Sequence, residues 1–344
     1  MRVLAKNRAE LIEALDAETD LGGVTAALLE KDEHLTDALR AVFALEFECV
    51  ELVFCGGTSL SKAYGLIERM SEDADLKVVL TEAGRQLSRT KLRRYLGDEV
   101  RARVGQALSD IGLVEEVEKA VTFNEHRYLH SQWRYQRSYL VTAGLRPNLQ
   151  LELTQRAPAL PVERTSLCAL ADRLAGRSGS SFEVPTISIA ETQSEKVLSF
   201  LRRFAQHRSG QMLRAWDAAL VRHIYDVHCI FARNPELVDT SASAFAALVQ
   251  GDVAEFGTQH PDFAADPLGV LERTLAQVGV DEQSRSEYEL NLLPLVYGSF
   301  KPRFDEAFAS FDKVARTFLN AANQAVHGVV VEPSAAIARP STPK

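Results

Sequence analysis

A chain of 344 residues with 46% hydrophobic side chains is long enough for two domains or one large one and has ample material for a buried core. Its formal net charge of −8 argues against indiscriminate wrapping of nucleic acid, and no apolar run approaches the length of a membrane span. The N-terminus MRVLAKNRAELIEAL turns charged too soon for a signal peptide, and Cys49, Cys55, Cys168 and Cys229 form no CxxC pair or zinc spacing, so a cytoplasmic protein with buried thiols and no membrane association is expected.

In chain order, LEKDEHLTDALRAVFAL (29–45) places Leu35, Leu39, Val42 and Phe43 at helical period, which predicts an amphipathic helix. VELVF (50–54) predicts a short buried strand stopped by Gly56 and Gly57, with Thr58 or Ser59 set to cap a helix over LSKAYGLIERM. DADLKVVL then alternates, so Asp73 and Asp75 should share one face of a strand while Ala74 and Leu76 take the other. The stretch 88–110 is helical by the spacing of Leu92, Tyr95, Leu96, Val100 and Val104, and strand-like runs follow at 113–122, 128–140 and 149–154, after which the sheet is expected to end near 155. GRSGSSFEVPTI (176–187) marks a boundary, beyond which 191–208, 211–232, 242–256, 267–278 and 303–325 carry helical spacing. Phe304, Phe308, Phe311 and Phe318 form an aromatic stripe best read as core. The fold class is α+β: a mixed sheet with flanking helices over 1–175, a mostly helical domain over 188–328, and a Pro/Ser-rich disordered tail over 329–344.

Chemistry concentrates in FCGGTSLSKAYGLIERMSEDADLKVVL (54–80). A tight glycine turn feeding a helix brings backbone N–H groups and a positive dipole end to a phosphate, although such a turn alone is more often just a tight turn. A P-loop is set aside, because Ser61 and Ala63 stand where that motif needs glycine and Ser/Thr around Lys62. Asp73 and Asp75 present two hard oxygen donors on one face, suited to Mg²⁺ bridging phosphates, against the alternative of a solvated strand edge. In PNLQLELTQ, Glu152 alternates with Leu151 and Leu153, either as a third acid of the site or as a surface residue of a half-buried strand. Seven Lys/Arg against two acids in 85–103, and six against two in 195–222, leave room for local contact with a polyanion.

The glycine turn, the DxD strand and the later hydrophobic–acid–hydrophobic strand together resemble the polymerase-β-like nucleotidyltransferases. LEKDEHLTDAL followed by FCGGTSLSKAYGLIERMSEDADL is similar, within that superfamily, to the AbiEii/AbiGii nucleotidyltransferase toxins, with their GGTSL turn, lysine-bearing helix and RFSEDIDL-type strand. TQSEKVLSFLRRF and RHIYDVHCI are similar to that family's downstream EK and RH-x-YD helices. The resemblance covers about 30–80 and 190–230; Met70 and Ala74 depart from the usual phenylalanine and isoleucine without removing a polar group.

The resemblance implies a nucleotidyltransferase core that takes an NTP with Mg²⁺ or Mn²⁺. Gly56, Gly57, Thr58 and Ser59 would bind the triphosphate, with Lys62 either reaching a phosphate or facing solvent. Asp73, Asp75 and Glu152 would hold metal, with Glu152 alternatively deprotonating the acceptor. Lys196 would offer charge to the phosphates, and Asp226 would be the second essential acid, in the helical half. Read without the resemblance, Lys196 is a surface lysine and Asp226 an i,i+4 partner of Arg222. His223 and His228 could contact nucleotide or substrate, but a histidine on a helix is more often a packing or surface residue, and they are read so. A toxin of a toxin–antitoxin or phage-defence system is implied, modifying tRNA or another RNA and countered by a cognate antitoxin protein. The alternatives are a nucleotidyltransferase acting on a protein or small molecule, and a non-catalytic regulatory module.

Overall fold

The computed structural model describes residues 1–18, 23–69, 71, 73–140, 145–177, 180–210 and 215–328. The expected tail at 329–344, Met70 and the start of the helical run at 211–214 lie outside the described residues. Helices α1 (Lys6–Glu18) and α2 (Ala26–Phe43) precede β1 (Val50–Cys55), which runs directly into α3 (Gly56–Lys62) and then, after an irregular return, into β2 (Asp73–Leu80). Next come α4 (Glu82–Arg85), α5 (Arg89–Arg94), a π-helical stretch (Tyr95–Arg101) and α6 (Ala102–Asp110). They are followed by β3 (Val114–Glu115), β4 (Val121–Phe123), β5 (Tyr128–Arg134), β6 (Leu149–Gln155), β7 (Glu163–Leu167), α7 (Leu170–Leu174) and β8 (Phe182–Thr186). The remainder is helical: α8 (Ile189–Arg208), α9 (Arg222–Arg233), α10 (Val238–Phe256), α11 (Pro261–Ala265), α12 (Pro267–Val278), α13 (Glu282–Glu287) and α14 (Phe304–Gly328).

The strands form one mixed sheet in the order β3-β5-β6-β2-β1-β8-β7, with β4 paired to β5 beside β3. β2 runs parallel to β6 and antiparallel to β1. Period-two alternation divides this sheet into two chemically distinct faces. Ala74, Leu76 and Val78 of β2 join Leu149, Leu151 and Leu153 of β6 and Leu129 and Trp133 of β5 in one buried layer, covered by Leu35, Leu39 and Val42 of α2 and by Leu92, Leu96, Val100, Val104 and Leu108. The opposite face carries Asp73, Asp75 and Lys77, then Gln150, Glu152 and Thr154, then Tyr128 and His130, in matching register. A second core unites α8, α9, α10, α12 and α14, and Phe304, Phe311 and Phe318 are fully buried in it.

Three local expectations are corrected. The sheet does not end near 155: β7 and β8 extend it to Thr186, with β8 lying parallel to β1, so part of the Gly/Ser-rich segment is strand. The helix after the glycine turn stops at Lys62, because Gly65 (φ +62°) takes a left-handed conformation that redirects the chain and drops Leu66 and Ile67 into the helical core. Neither Thr58 nor Ser59 caps α3, since the helix already starts at Gly56.

Candidate active site

The site is built on the polar face of the sheet, where β2 and β6 run side by side. Parallel register sets Asp75 opposite Glu152 and Asp73 opposite Gln150. Burial, reinforced by the neighbouring Glu152 and Asp73 charges, pushes the Asp75 carboxyl well above the usual carboxylate range. The Glu152 carboxyl is raised as well, again mainly by burial, although the Tyr128 hydroxyl donates to its Oε2 at 2.9 Å. Asp73 is held differently: Arg146 Nη1 spans both its oxygens at 2.8 and 2.9 Å and also donates to Gln150 Oε1 at 2.7 Å.

The facing wall comes from α8 and α9. Lys196 Nζ lies 2.6 Å from Asp226 Oδ2, and Arg69 forks onto both Asp226 oxygens at 2.7 Å each. Asp226 is fully buried, and these two cations hold its carboxyl far below the ordinary range despite the opposing effect of burial. Both carboxylate oxygens are therefore engaged, and Asp226 fixes the ammonium of Lys196 and the guanidinium of Arg69. Lys196 and Arg69 in turn moderate the upward shift of Asp75, which places them within electrostatic reach of it. His223, one turn before Asp226 on α9, is pushed well down by burial and by Lys196 and Arg203, so it faces the same cluster as a neutral ring. Arg203 of α8 pairs with Asp217 at 2.6 Å and acts electrostatically on Glu152.

The glycine turn supports this cluster by letting other groups close in. A Cβ on Gly56 would lie 2.0 Å from Asp75 Oδ2, and its φ of +77° is itself costly for any other residue. A Cβ on Gly57 would lie 2.8 Å from Arg69 Nη2. The Thr58 hydroxyl donates to the Asp73 carbonyl and meets Ser71 Oγ at 2.9 Å, while Ser59 Oγ donates to Gly56 O at 2.9 Å. Both side chains are buried, so their hydroxyls brace the turn against β2. Lys62 takes neither setting left open by the sequence. It is buried, pairing with Asp32 of α2 at 2.6 Å and donating to Cys168 O at 3.2 Å. The cavity it helps line, with Lys31, Arg69, Ser71 and Arg173, holds about 30 Å³, room for about two waters and far too little for a nucleotide.

A family model for the nucleotidyl transferase AbiEii toxins of type IV toxin–antitoxin systems matches residues 37–310. The chain belongs to the AbiEii family. It is thus a nucleotidyltransferase toxin of a type IV system. Among solved structures it is similar to MenT4, a nucleotidyltransferase toxin from Mycobacterium tuberculosis H37Rv. The TM-score is 0.51 at 18% identity, covering 92% of this chain and 90% of that one, a likeness of fold. No curated protein sequence matches the chain. Among the described residues, no helix is long and apolar enough to cross a membrane.

Sequence reasoning about this AbiEii chain overlooked several groups that the fold brings to the site. Arg69 opens the segment similar to the RFSEDIDL-type strand, but nothing local tied it to Asp226. Lys77 shares the face of Asp73 and Asp75 by simple alternation, and its Nζ reaches Glu191 and Glu195 of α8, each at 2.6 Å. Tyr128 and Arg146 carried no signal beyond residue type, and Arg203 was visible only as one charge of the basic stretch 195–222. Nucleotidyltransferases in general use an NTP and a divalent metal, and the donor set here fits a hard cation: carboxylate oxygens on one face, two of them with crowding that a positive charge would relieve. Among the described residues no three His, Cys, Asp or Glu side chains are gathered as a metal site, and Arg146 already engages both oxygens of Asp73, so a cation there would displace it.

Proposed function

We propose that this AbiEii toxin moves NMP from an NTP to a hydroxyl of an RNA acceptor, tRNA being the first candidate, in the cytoplasm and under the control of a cognate antitoxin. The observation that carries this reading is the Asp75–Glu152 register between parallel strands, facing Lys196 and Arg69 on the Asp226 carboxylate. Phosphoryl chemistry is mostly positioning and charge neutralisation, and this arrangement has carboxylates on one wall and fixed cations on the other. Mg²⁺ or Mn²⁺ would be held by Asp73 and Asp75, leaving Glu152 for the acceptor; when bound it would neutralise phosphate charge.

The chain's own groups do the rest. Lys196, fixed by Asp226, lies against the departing pyrophosphate. Asp226 acts through Lys196 and Arg69, since both its oxygens are already engaged. Glu152, whose carboxyl is raised by burial, takes the proton of the acceptor hydroxyl. Gly56 and Gly57 let the turn approach the triphosphate through its backbone, while Thr58 and Ser59 keep that turn rigid.

The test is transfer of label from each of the four α-labelled NTPs, with Mg²⁺, to total tRNA and to the protein itself, comparing wild type with Asp75→Ala. RNA labelled by wild type and not by the variant is the expected result. Label on protein alone would move the acceptor to a protein, and no label on any acceptor would overturn the transfer reading.

A further inference from the structure

The polar face of the sheet does not end at Glu152. On β5, Tyr128 donates its hydroxyl to Glu152 Oε2 at 2.9 Å, and its ring stacks on Phe123 of β4, with centroids 6.0 Å apart and planes 28° apart. Phe123 is 47% exposed on the short outer strand of this face. The tip joining β4 to β5 is strained and clamped. Asn124, Glu125 and His126 all take positive φ (49°, 59° and 68°), a costly run for residues with side chains. Arg89 of α5 forks onto Glu125 at 2.7 and 2.8 Å, and the His126 ring lies against Gly97, where a Cβ would come within 3.3 Å of it. Arg127 follows this tip directly and Arg93 stands one turn after Arg89 on α5, both exposed. An aromatic step leading out of the site thus ends at a tip that carries Arg127 and is clamped to α5, the helix of Arg89 and Arg93.

We propose that the β4–β5 hairpin is the acceptor platform of this enzyme. The unpaired 3′ end of an RNA strand stacks a base on Phe123 and Tyr128, which carries its terminal hydroxyl toward Glu152. Arg93 and Arg127 meet the phosphates that follow. Stacking on an aromatic face beside cations is the chemistry by which unpaired strands are held. The clamped tip keeps the platform in place before the strand arrives, so little ordering cost falls on binding. This inference rests on the transfer reading above and assigns its acceptor side.

The experiment measures steady-state label transfer to an RNA hairpin with a short 3′ overhang and to the same hairpin blunt-ended, for wild type, Phe123→Ala, Phe123→Trp and Arg127→Glu. Wild type should prefer the overhang. Phe123→Ala should raise KM for the overhang substrate roughly 5- to 150-fold, the range of one lost stacking contact, with KM for NTP unchanged, and Phe123→Trp should restore it. Arg127→Glu should weaken the acceptor KM most at low salt. An unchanged acceptor KM in Phe123→Ala, or KM values for NTP and acceptor rising together, would overturn the platform while leaving the transfer reading intact. Wild type that labels only protein, or nothing, would remove the transfer reading and the platform with it.

Discussion

At the scale of single residues, the cluster sets two carboxylates under opposite electrostatic conditions. Asp75 is raised, so between the ordinary carboxylate value near 4 and its own higher value the folded chain holds a proton that the unfolded chain has released. Its contribution to stability therefore falls as pH rises through that window, and at pH 7 it is a penalty. Asp75→Asn should raise the melting temperature at pH 7 while abolishing transfer, and should remove the further rise that Mg²⁺ gives the wild type; a thermal melt with and without Mg²⁺ checks both. Asp226 is depressed, so its contribution is complete above about 4 and is lost as pH falls through its lower folded value. Asp226→Asn leaves Arg69 and Lys196 buried without their counter-charge, at a cost of about 3–5 kcal/mol in urea unfolding near neutral pH. Lys196→Met, which leaves the Arg69 fork in place, should cost much less stability and lose transfer nonetheless. Gly56→Ala faces both the Asp75 carboxylate and an unfavourable φ, so neither the fold nor activity should survive it well, as circular dichroism and label transfer would show.

Among elements, α8 decides where Lys196 sits. Ser188 caps this helix by accepting from Glu191 N at 3.2 Å, and the sequence S-x-x-E looks like a reciprocal capping box. Glu191 is used otherwise. It is fully buried, accepts from Ala159 N and Leu160 N at 2.9 and 2.7 Å, and meets Lys77 Nζ at 2.6 Å. With Glu195 on the same ammonium, Lys77 ties the first turns of α8 to β2, two residues beyond Asp75. Lys77→Met should therefore cost about 3–5 kcal/mol by leaving buried carboxylates short of a partner. It should also lower kcat more than it raises KM for NTP, because it shifts Lys196 and removes no ligand contact; steady-state kinetics on the folded fraction would check this. The helix after the glycine turn teaches the complementary lesson. Its apolar spacing continued past Lys62, but Leu66 and Ile67 are spaced to serve the helical core from an extended segment, and Gly65 makes that exit possible.

For the whole molecule, the sheet half and the helical half are joined by Leu60, Leu66 and Ile67 and by the Arg69–Asp226 and Lys77–Glu191 ion pairs, so the cleft between them is defined only when both are folded. The two basic stretches have separate fates. In the second, Lys196 and Arg203 face the cleft while Arg202 is buried on Asp252. In the first, α5 packs Leu92 behind the sheet and leaves Arg93 and Arg94 exposed toward solvent. Charge reversal at Arg93 and Arg94 should weaken RNA binding and flatten its dependence on salt concentration, with no change in melting temperature; filter binding across a salt series measures the slope.

Much of the site was legible because backbone geometry alone dictates it. Alternation along DADLKVVL and LQLELTQ had to put Asp73, Asp75 and Glu152 opposite the leucines, whereas the Gly-Gly step between strand and helix read equally as a plain tight turn. The residue pattern of the four motif blocks was enough to indicate the family. Partner choice was not legible, because ion pairs form between residues far apart in the chain. Arg69 and Asp226 are 157 positions apart, and Lys77 and Glu191 are 114 apart. Only the tertiary structure could turn Lys62 toward Asp32, engage both oxygens of Asp226, set Arg146 on Asp73, and leave Phe123 exposed at the end of a path from Glu152. Periodicity fixes the direction of a side chain from its own strand or helix, whereas what it meets there is decided by how the elements pack.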